Sequence, residues 1–248
     1  MFPEQQTITA QIRHILSTAM RSECAIRPHF FLTGPTGSGK SFLVNQIADE
    51  MDIPFFEINA AQLTAEGLSG NSLTKAMRPL RQHWNRPNVI FVDEFDKLFQ
   101  RNGEGTQAFR SDVQDEFLRV LESTHASIFT DYGKYEPVRV DKTVFIFAGA
   151  FSDQKIRSLE DLKDAGIRNE FVGRVPLVFW TEKVHLDSML EAVPHLQLLK
   201  DYLAINPQIK PNDAQREISA MLREEAKTST IGVRLMNAMV HKFFMRDI

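Results

Sequence analysis

One run of residues constrains this chain more than any other: Gly34-Pro35-Thr36-Gly37-Ser38-Gly39-Lys40-Ser41. It fills every fixed position of G-x-x-x-x-G-K-[ST]. Phe30, Phe31 and Leu32 precede it as a short β-like run, and Phe42, Leu43, Ile47, Ala48 and Met51 follow at helical spacing. Glycines allow backbone N–H groups to turn toward phosphate oxygens, and the helix that follows presents the positive end of its dipole to them. Lys40 is placed to reach the β- and γ-phosphates, and the Ser41 hydroxyl to enter a Mg2+ shell. The chain is therefore read as binding a nucleoside triphosphate with Mg2+.

A second stretch supplies the complementary acids. Val89-Ile90-Phe91-Val92 runs into Asp93-Glu94, which describes a buried parallel strand with carboxylates at its carboxyl end. Ligands of open α/β sheets sit at that edge. Asp93 is expected to hold the metal through its water shell, and Glu94 to orient or deprotonate an attacking water. Pro54–Asn59, Thr143–Ala148 and Pro176–Trp180 read as further strands, and Thr7–Met20 as a helix with Ile8, Ile12, Ile15, Leu16 and Ala19 on one side. The pattern predicts a helix over 72–84, a polar glycine-containing loop over 101–111, a helix over 112–123 and a hairpin over 129–140. Strands alternating with helices indicate a three-layer α/β domain with a parallel sheet. From Leu186 the patterns are all helical, parted by Pro194, Pro207 and Pro211. Two domains are expected, an α/β nucleotide-binding domain over 1–183 and a small helical domain over 184–248, hinged near 181–183.

Composition narrows the partners. A net charge of −3 gives no general basic field for holding nucleic acid, although Lys75, Arg78 and Arg81 could form a basic face on one helix. The single cysteine, Cys24, cannot form an internal disulfide and has no metal-ligand spacing. The first residues lack the order of a signal peptide, and no run approaches the roughly 18 apolar residues of a membrane span. A cytoplasmic setting without membrane partners is the expectation.

Five segments in order, GPTGSGKS, IFVDEFDK (90–97), VDKTVFIFAGAF (140–151), LEDLKDAGIRNEFVGRVP (159–176) and IGVR (231–234), resemble the AAA+ ATPases of the ClpX/HslU unfoldase group. The resemblance runs from about residue 4 to the end. It implies ATP as the nucleotide, ATP hydrolysis as the activity, and self-assembly into a homo-oligomeric ring, a hexamer. By position it makes Arg174, in Phe171-Val172-Gly173-Arg174, an arginine finger acting on a neighbouring subunit's nucleotide. Arg234, in Gly232-Val233-Arg234, becomes the sensor-2 arginine. A protein substrate or adaptor is the implied partner. DNA work, as a loader or transposition-type regulator, is the alternative that the acidic balance disfavours, and an ATP-controlled assembly switch is another. The chain departs from the family in three places. It has neither the cysteines nor the length for the N-terminal zinc domain, and residues 151–160 are too short for the peptidase-docking loop, so a ClpP-type peptidase is not an expected partner. Where the family's axial pore loop carries an aromatic, this chain has Gly67-Leu68-Ser69-Gly70, and Leu68 lacks a ring face. At the sensor-1 place, Ala148-Gly149-Ala150 offers no polar side chain.

Overall fold

Side chains alternate faces along a strand, and that alternation sorts the apolar residues of this chain into layers. The computed structural model describes residues 2–64, 70–99, 104–130 and 133–246, with the backbone alone described at 104–111 and 153. In order, the elements are α1 (Gln6–Arg21), β1 (Phe30–Thr33), α2 (Lys40–Glu50), β2 (Phe55–Asn59), α3 (Leu73–Ala76), β3 (Asn88–Asp93), α4 (Glu104–Glu122), β4 (His125–Phe129), β5 (Tyr135–Arg139), β6 (Thr143–Gly149), α5 (Leu159–Asp164), α6 (Asn169–Arg174), β7 (Leu177–Trp180), α7 (Leu186–Ala192), α8 (Gln197–Ile205), α9 (Pro211–Glu225) and α10 (Arg234–Phe244). They form two compact units. One comprises Ile8–Gly34 and Lys40–Thr181, the other Met1–Thr7, Pro35–Gly39 and Glu182–Ile248.

In the α/β unit, five parallel strands pair in the order β2-β3-β6-β1-β7. Phe31, Ile90, Val92, Phe145 and Phe147 face one way and pack with Val113, Phe117 and Leu121 of α4 and Phe171 of α6. Phe30, Leu32, Phe91, Val144, Ile146 and Ala148 face the other way, onto Ile12 and Leu16 of α1 and Leu43, Val44 and Ile47 of α2. Each fully buried side chain of this size contributes about 1.5–3 kcal/mol relative to exposure. The result is the three-layer parallel α/β architecture that the strand and helix alternation predicts. Thr33 at the end of β1 lies opposite both Gly149 and Trp180, and Val92 of β3 lies opposite Phe147. This register brings the carboxyl ends of β1, β3, β6 and β7 to one edge. Phe42 is the exception among the apolar positions read after the phosphate loop. It is 70% exposed, while its neighbours Leu43 and Val44 carry the packing.

Three local expectations are corrected. The helix read over 72–84 breaks after Ala76 and resumes as a 3-10 turn over Arg78–Gln82. Pro79 lacks the N–H that a continuous helix would need there. The loop read over 101–111 is helical from Glu104 onward, as the first turns of α4. Buried Val113, Phe117 and Leu121 anchor that helix from its C-terminal half, and propagation outweighs the roughly 1 kcal/mol that Gly105 costs. The hairpin pairs β4 with β5 antiparallel, Ala126 opposite Val138, so its first strand begins ahead of the stretch read for it.

His29, just before β1, is 6% exposed, and its Nδ1 accepts the Phe145 N–H at 3.1 Å. That bond requires a neutral ring protonated on Nε2. Burial, reinforced by the Arg27 charge, pushes its pKa down to about 3. The unfolded chain binds a proton near pH 6.5 that the folded chain refuses, so this residue withdraws stability as pH falls from 6.5 toward 3. The expected slope is about 1.4 kcal/mol per pH unit. Urea unfolding of the parent and of His29→Asn at pH 7, 6, 5 and 4 checks this, because the variant should lose that part of the acid dependence. Equal slopes would refute it.

The second unit is helical. Met189, Leu199, Ile218, Leu222, Leu235, Met239, Val240 and Phe243 form its core, with Phe2 packed against it. Pro211 occupies the first position of α9, where its missing N–H costs nothing. Glu4 Oε1 accepts the His185 N–H at 2.9 Å and the Ser188 hydroxyl at 2.8 Å, at the start of α7. Among the described residues no helix is long and apolar enough to cross a membrane.

Candidate active site

The phosphate-loop residues Pro35, Thr36, Gly37, Ser38 and Gly39 fold with the helical unit. Gly37 there adopts a left-handed φ of +72° and faces Gly232, itself at +60°. The Val233 N–H donates to the Gly37 carbonyl at 2.9 Å, and Gln5 Nε2 donates to the Ser38 carbonyl at 2.6 Å. A Cβ on Gly37 would stand 2.1 Å from the Ile231 carbonyl oxygen, and one on Gly232 would stand 2.4 Å from the Gly37 oxygen. Neither position tolerates a side chain without backbone movement. Arg234 follows this contact directly as the first residue of α10 and is exposed.

In the α/β unit, β1 leads into Gly34, and α2 opens on Lys40 and Ser41. Lys40 Nζ donates to the Gly34 carbonyl at 2.8 Å. Asp93 ends β3, half-buried, and its Oδ1 accepts the Glu94 N–H at 2.9 Å. Glu94 is exposed and left-handed, with φ +55° and ψ +29°, and it caps the 3-10 turn Phe95–Leu98. A non-glycine residue held in that conformation costs of order 1–3 kcal/mol and persists only where its surroundings impose it. The next residue supplies that constraint. Phe95 is fully buried, with its ring centroid 4.6 Å from Phe147, 5.2 Å from Phe171, 5.8 Å from Phe117 and 6.0 Å from Phe31. Such aromatic contacts are worth about 0.5–1.5 kcal/mol each beyond area. The backbone of the turn is therefore pinned from below, while the Glu94 carboxylate stays in solvent at the strand edge.

Glu57 of β2 is an acid that the sequence reading passed over. Partial burial raises its pKa, and the Asp93 charge on the neighbouring strand raises it further. Its signal in the sequence is a carboxylate inside the strand run Phe55–Asn59, but which strand it lies beside is set by topology. Among the described residues no three His, Cys, Asp or Glu side chains gather as a protein cage for a metal. A hydroxyl at Ser41 and a carboxylate at Asp93 suit Mg2+ instead, which keeps waters and shares one or two carboxylates with substrate phosphates.

Arg174 ends α6. It forms an ion pair with Glu122 of α4, and its guanidinium donates to the Glu170 carbonyl at 2.8 Å. Its helix is tied to the Glu94 turn through the Phe171–Phe95 contact. Gly67, Leu68 and Ser69 lie outside the described residues. Gly70, beyond them, accepts a hydrogen bond from Lys75 Nζ at 2.9 Å. The basic face expected on one helix is divided between α3 and the 3-10 turn, and its side chains make contacts within the chain. Lys75 and Arg78 lie over the Phe129 ring, and Arg81 pairs with Glu136 of β5.

A family model described as "ATPase family associated with various cellular activities (AAA)" matches residues 30–166. That span includes Lys40, Ser41, Asp93 and Glu94 and stops short of Arg174 and Arg234. The chain is 25% identical over 223 residues to the ATP-dependent Clp protease ATP-binding subunit ClpX of Borrelia duttonii (strain Ly), covering 71% of this chain and 52% of that protein. The figures for the same subunit of Borrelia recurrentis (strain A1) are identical. With the ClpX subunit of Treponema denticola the identity is 31% over 156 residues, 56% of this chain and 37% of that protein. The chain thus spans about half or less of the length of these curated relatives.

Proposed function

The chain belongs to the AAA family of ATPases, and on that premise we propose that it works as a ClpX-like ring engine, hydrolysing ATP at subunit interfaces to remodel or unfold a protein partner. The observation that carries the reading is Glu94. It is an exposed carboxylate on a strained backbone, anchored by the Phe95 cluster and adjacent to Asp93 at the carboxyl edge of the sheet. Stored strain of this kind gathers at functional sites.

In this reading Gly34, Pro35, Thr36, Gly37, Ser38 and Gly39 offer backbone N–H groups to phosphate oxygens, and Lys40 reaches the β- and γ-phosphates. Bound Mg2+, held by Ser41 and Asp93, would neutralise charge on the transferring phosphoryl group. Glu94 takes the proton of the attacking water. Arg174 exchanges Glu122 for the nucleotide of a neighbouring subunit, where it stabilises the transition-state charge. Arg234 contacts the nucleotide from the lid domain, residues 184–248. Gly67–Gly70 would line the axial pore. ClpX being named as a subunit of an ATP-dependent protease, a protein substrate is the favoured target over DNA. Lys75 and Arg78 lie over the Phe129 ring and Arg81 pairs with Glu136, so part of the basic charge that speaks for nucleic acid is engaged within the chain.

The test is capture of partners from a lysate by tagged Glu94→Gln protein with ATP present. Proteins that stay bound in ATP and leave in ADP support the reading. Retention of DNA that survives near-physiological salt would overturn it in favour of the nucleic-acid alternative.

A further inference from the structure

Asp96 stands two residues after Glu94, in the same 3-10 turn, and it is 3% exposed. Buried carboxylates are rare unless they are paired or well hydrogen-bonded. Its Oδ2 accepts the Phe151 N–H at 3.2 Å and lies 3.6 Å from Lys97 Nζ. Its Oδ1 is buried without a hydrogen-bond partner among the described residues. What Oδ1 occupies is the space beside Gly149, the last residue of β6. A Cβ built on Gly149 would stand 2.7 Å from Asp96 Oδ1 and 3.0 Å from Asp96 Cβ. The absent side chain of Gly149 is therefore what admits Asp96. The segment it fastens is strained as well, since Phe151 and Ser152 are left-handed at φ +49° and +54°.

Resting on the reading that Glu94 drives ATP hydrolysis, we infer that Asp96 is a positioning residue for Glu94, clamping the turn that carries it to the carboxyl end of β6. Two left-handed non-glycine segments, one at Glu94 and one at Phe151–Ser152, meet through this carboxylate. Neither conformation is favoured by its own sequence, so each depends on an external restraint. Phe95 pins the turn to the core from one side, and Asp96 fixes its rotation against β6 from the other. Loss of the carboxylate frees the turn to relax toward ordinary backbone angles, which carries Glu94 away from the line of attack. A misplacement of about 1 Å at such a position can cost 100-fold in rate. The arrangement also accounts for Gly149 at the end of β6, where a side chain would collide with Asp96. The polar group at that strand end comes from the neighbouring turn.

The test compares parent, Asp96→Ala and Asp96→Asn for ATP turnover, for binding of a fluorescent non-hydrolysable ATP analogue, for thermal midpoint, and for amide hydrogen exchange at Phe151. Asp96→Ala is expected to lower kcat about 30- to 100-fold, with KM and analogue Kd within about threefold of parent. Exchange at the Phe151 amide should accelerate at least about tenfold, while the amides of Val144–Ala148 in β6 keep parental rates. Asp96→Asn retains an acceptor for the Phe151 N–H, so it should restore the protection and most of kcat. Parental kcat in Asp96→Ala, with or without faster exchange at Phe151, overturns the positioning role. Equal rises in kcat loss and analogue Kd would overturn it too, because they would place Asp96 in nucleotide binding. If the parent shows no turnover, the ATPase reading fails and this proposal with it. An active parent beside an unaffected Asp96→Ala sinks this proposal alone.

Discussion

Glu94→Gln is expected to bind ATP as tightly as the parent and to hydrolyse it about 10²- to 10⁴-fold more slowly, the range over which a positioned general base contributes. The substitution keeps the size and one acceptor oxygen of the side chain and removes its basicity. Glu94 is exposed, so no buried contact is lost. The turn is held by Phe95 and Asp96 and not by the Glu94 carboxylate, so it keeps its shape. Phosphate release under saturating Mg-ATP measures the effect, and equilibrium binding of labelled ATP separates chemistry from affinity. Parental phosphate release would remove Glu94 from the mechanism. A large rise in Kd would instead make it a binding residue.

Arg174→Ala is expected to reduce turnover by about 10³-fold or more, the scale of an arginine finger, while ATP binding to each subunit is preserved. Within the chain Arg174 contributes an ion pair with Glu122. Arg174 is half-buried and Glu122 exposed, and a pair so open to solvent supports little stability, of order 0–1 kcal/mol. Folding should therefore survive the change. Mixing supplies the decisive measurement. Arg174→Ala subunits should regain turnover when combined with Glu94→Gln subunits, because each variant supplies what the other lacks across an interface. Absence of any recovery, or loss of ATP binding in Arg174→Ala alone, would mean that the arginine acts within its own subunit.

Much of this was legible before any coordinate. The phosphate loop, the carboxylates after β3 and the apolar runs of β1, β3 and β6 announce themselves because a buried parallel strand must be apolar on both faces. What escaped has physical reasons. Helix α4 starts within a polar glycine-bearing stretch because its stability is supplied by residues further along, and local propensity does not report that. The break before Pro79 was written in the sequence, but the apolar spacing around it imitates a continuous helix. Asp96 carries no separate reading in the sequence, and Gly149 is read there only as part of a stretch without a polar side chain. Each is intelligible only through the other, and they are more than fifty residues apart. Lys75, Arg78 and Arg81 read as surface charge, and only topology shows that they reach Phe129 and Glu136 of the hairpin beside them.

The helical unit is assembled from three separate stretches of chain, and this bears on how such a protein can be rearranged by recombination. A cut near residue 182 would release the last four helices without Phe2, which packs on their core, and without Glu4, which meets the start of α7. It would also leave behind the Gly37 carbonyl that receives the Val233 N–H. Exchanging the C-terminal helices with those of a relative would therefore set the incoming helices against residues 1–7 and 35–39 of the recipient, which belong to the unit being replaced. The unit can be inherited intact only with its scattered pieces, so substitutions at Phe2, Glu4, Gly37 and Gly232 are expected to travel together among relatives.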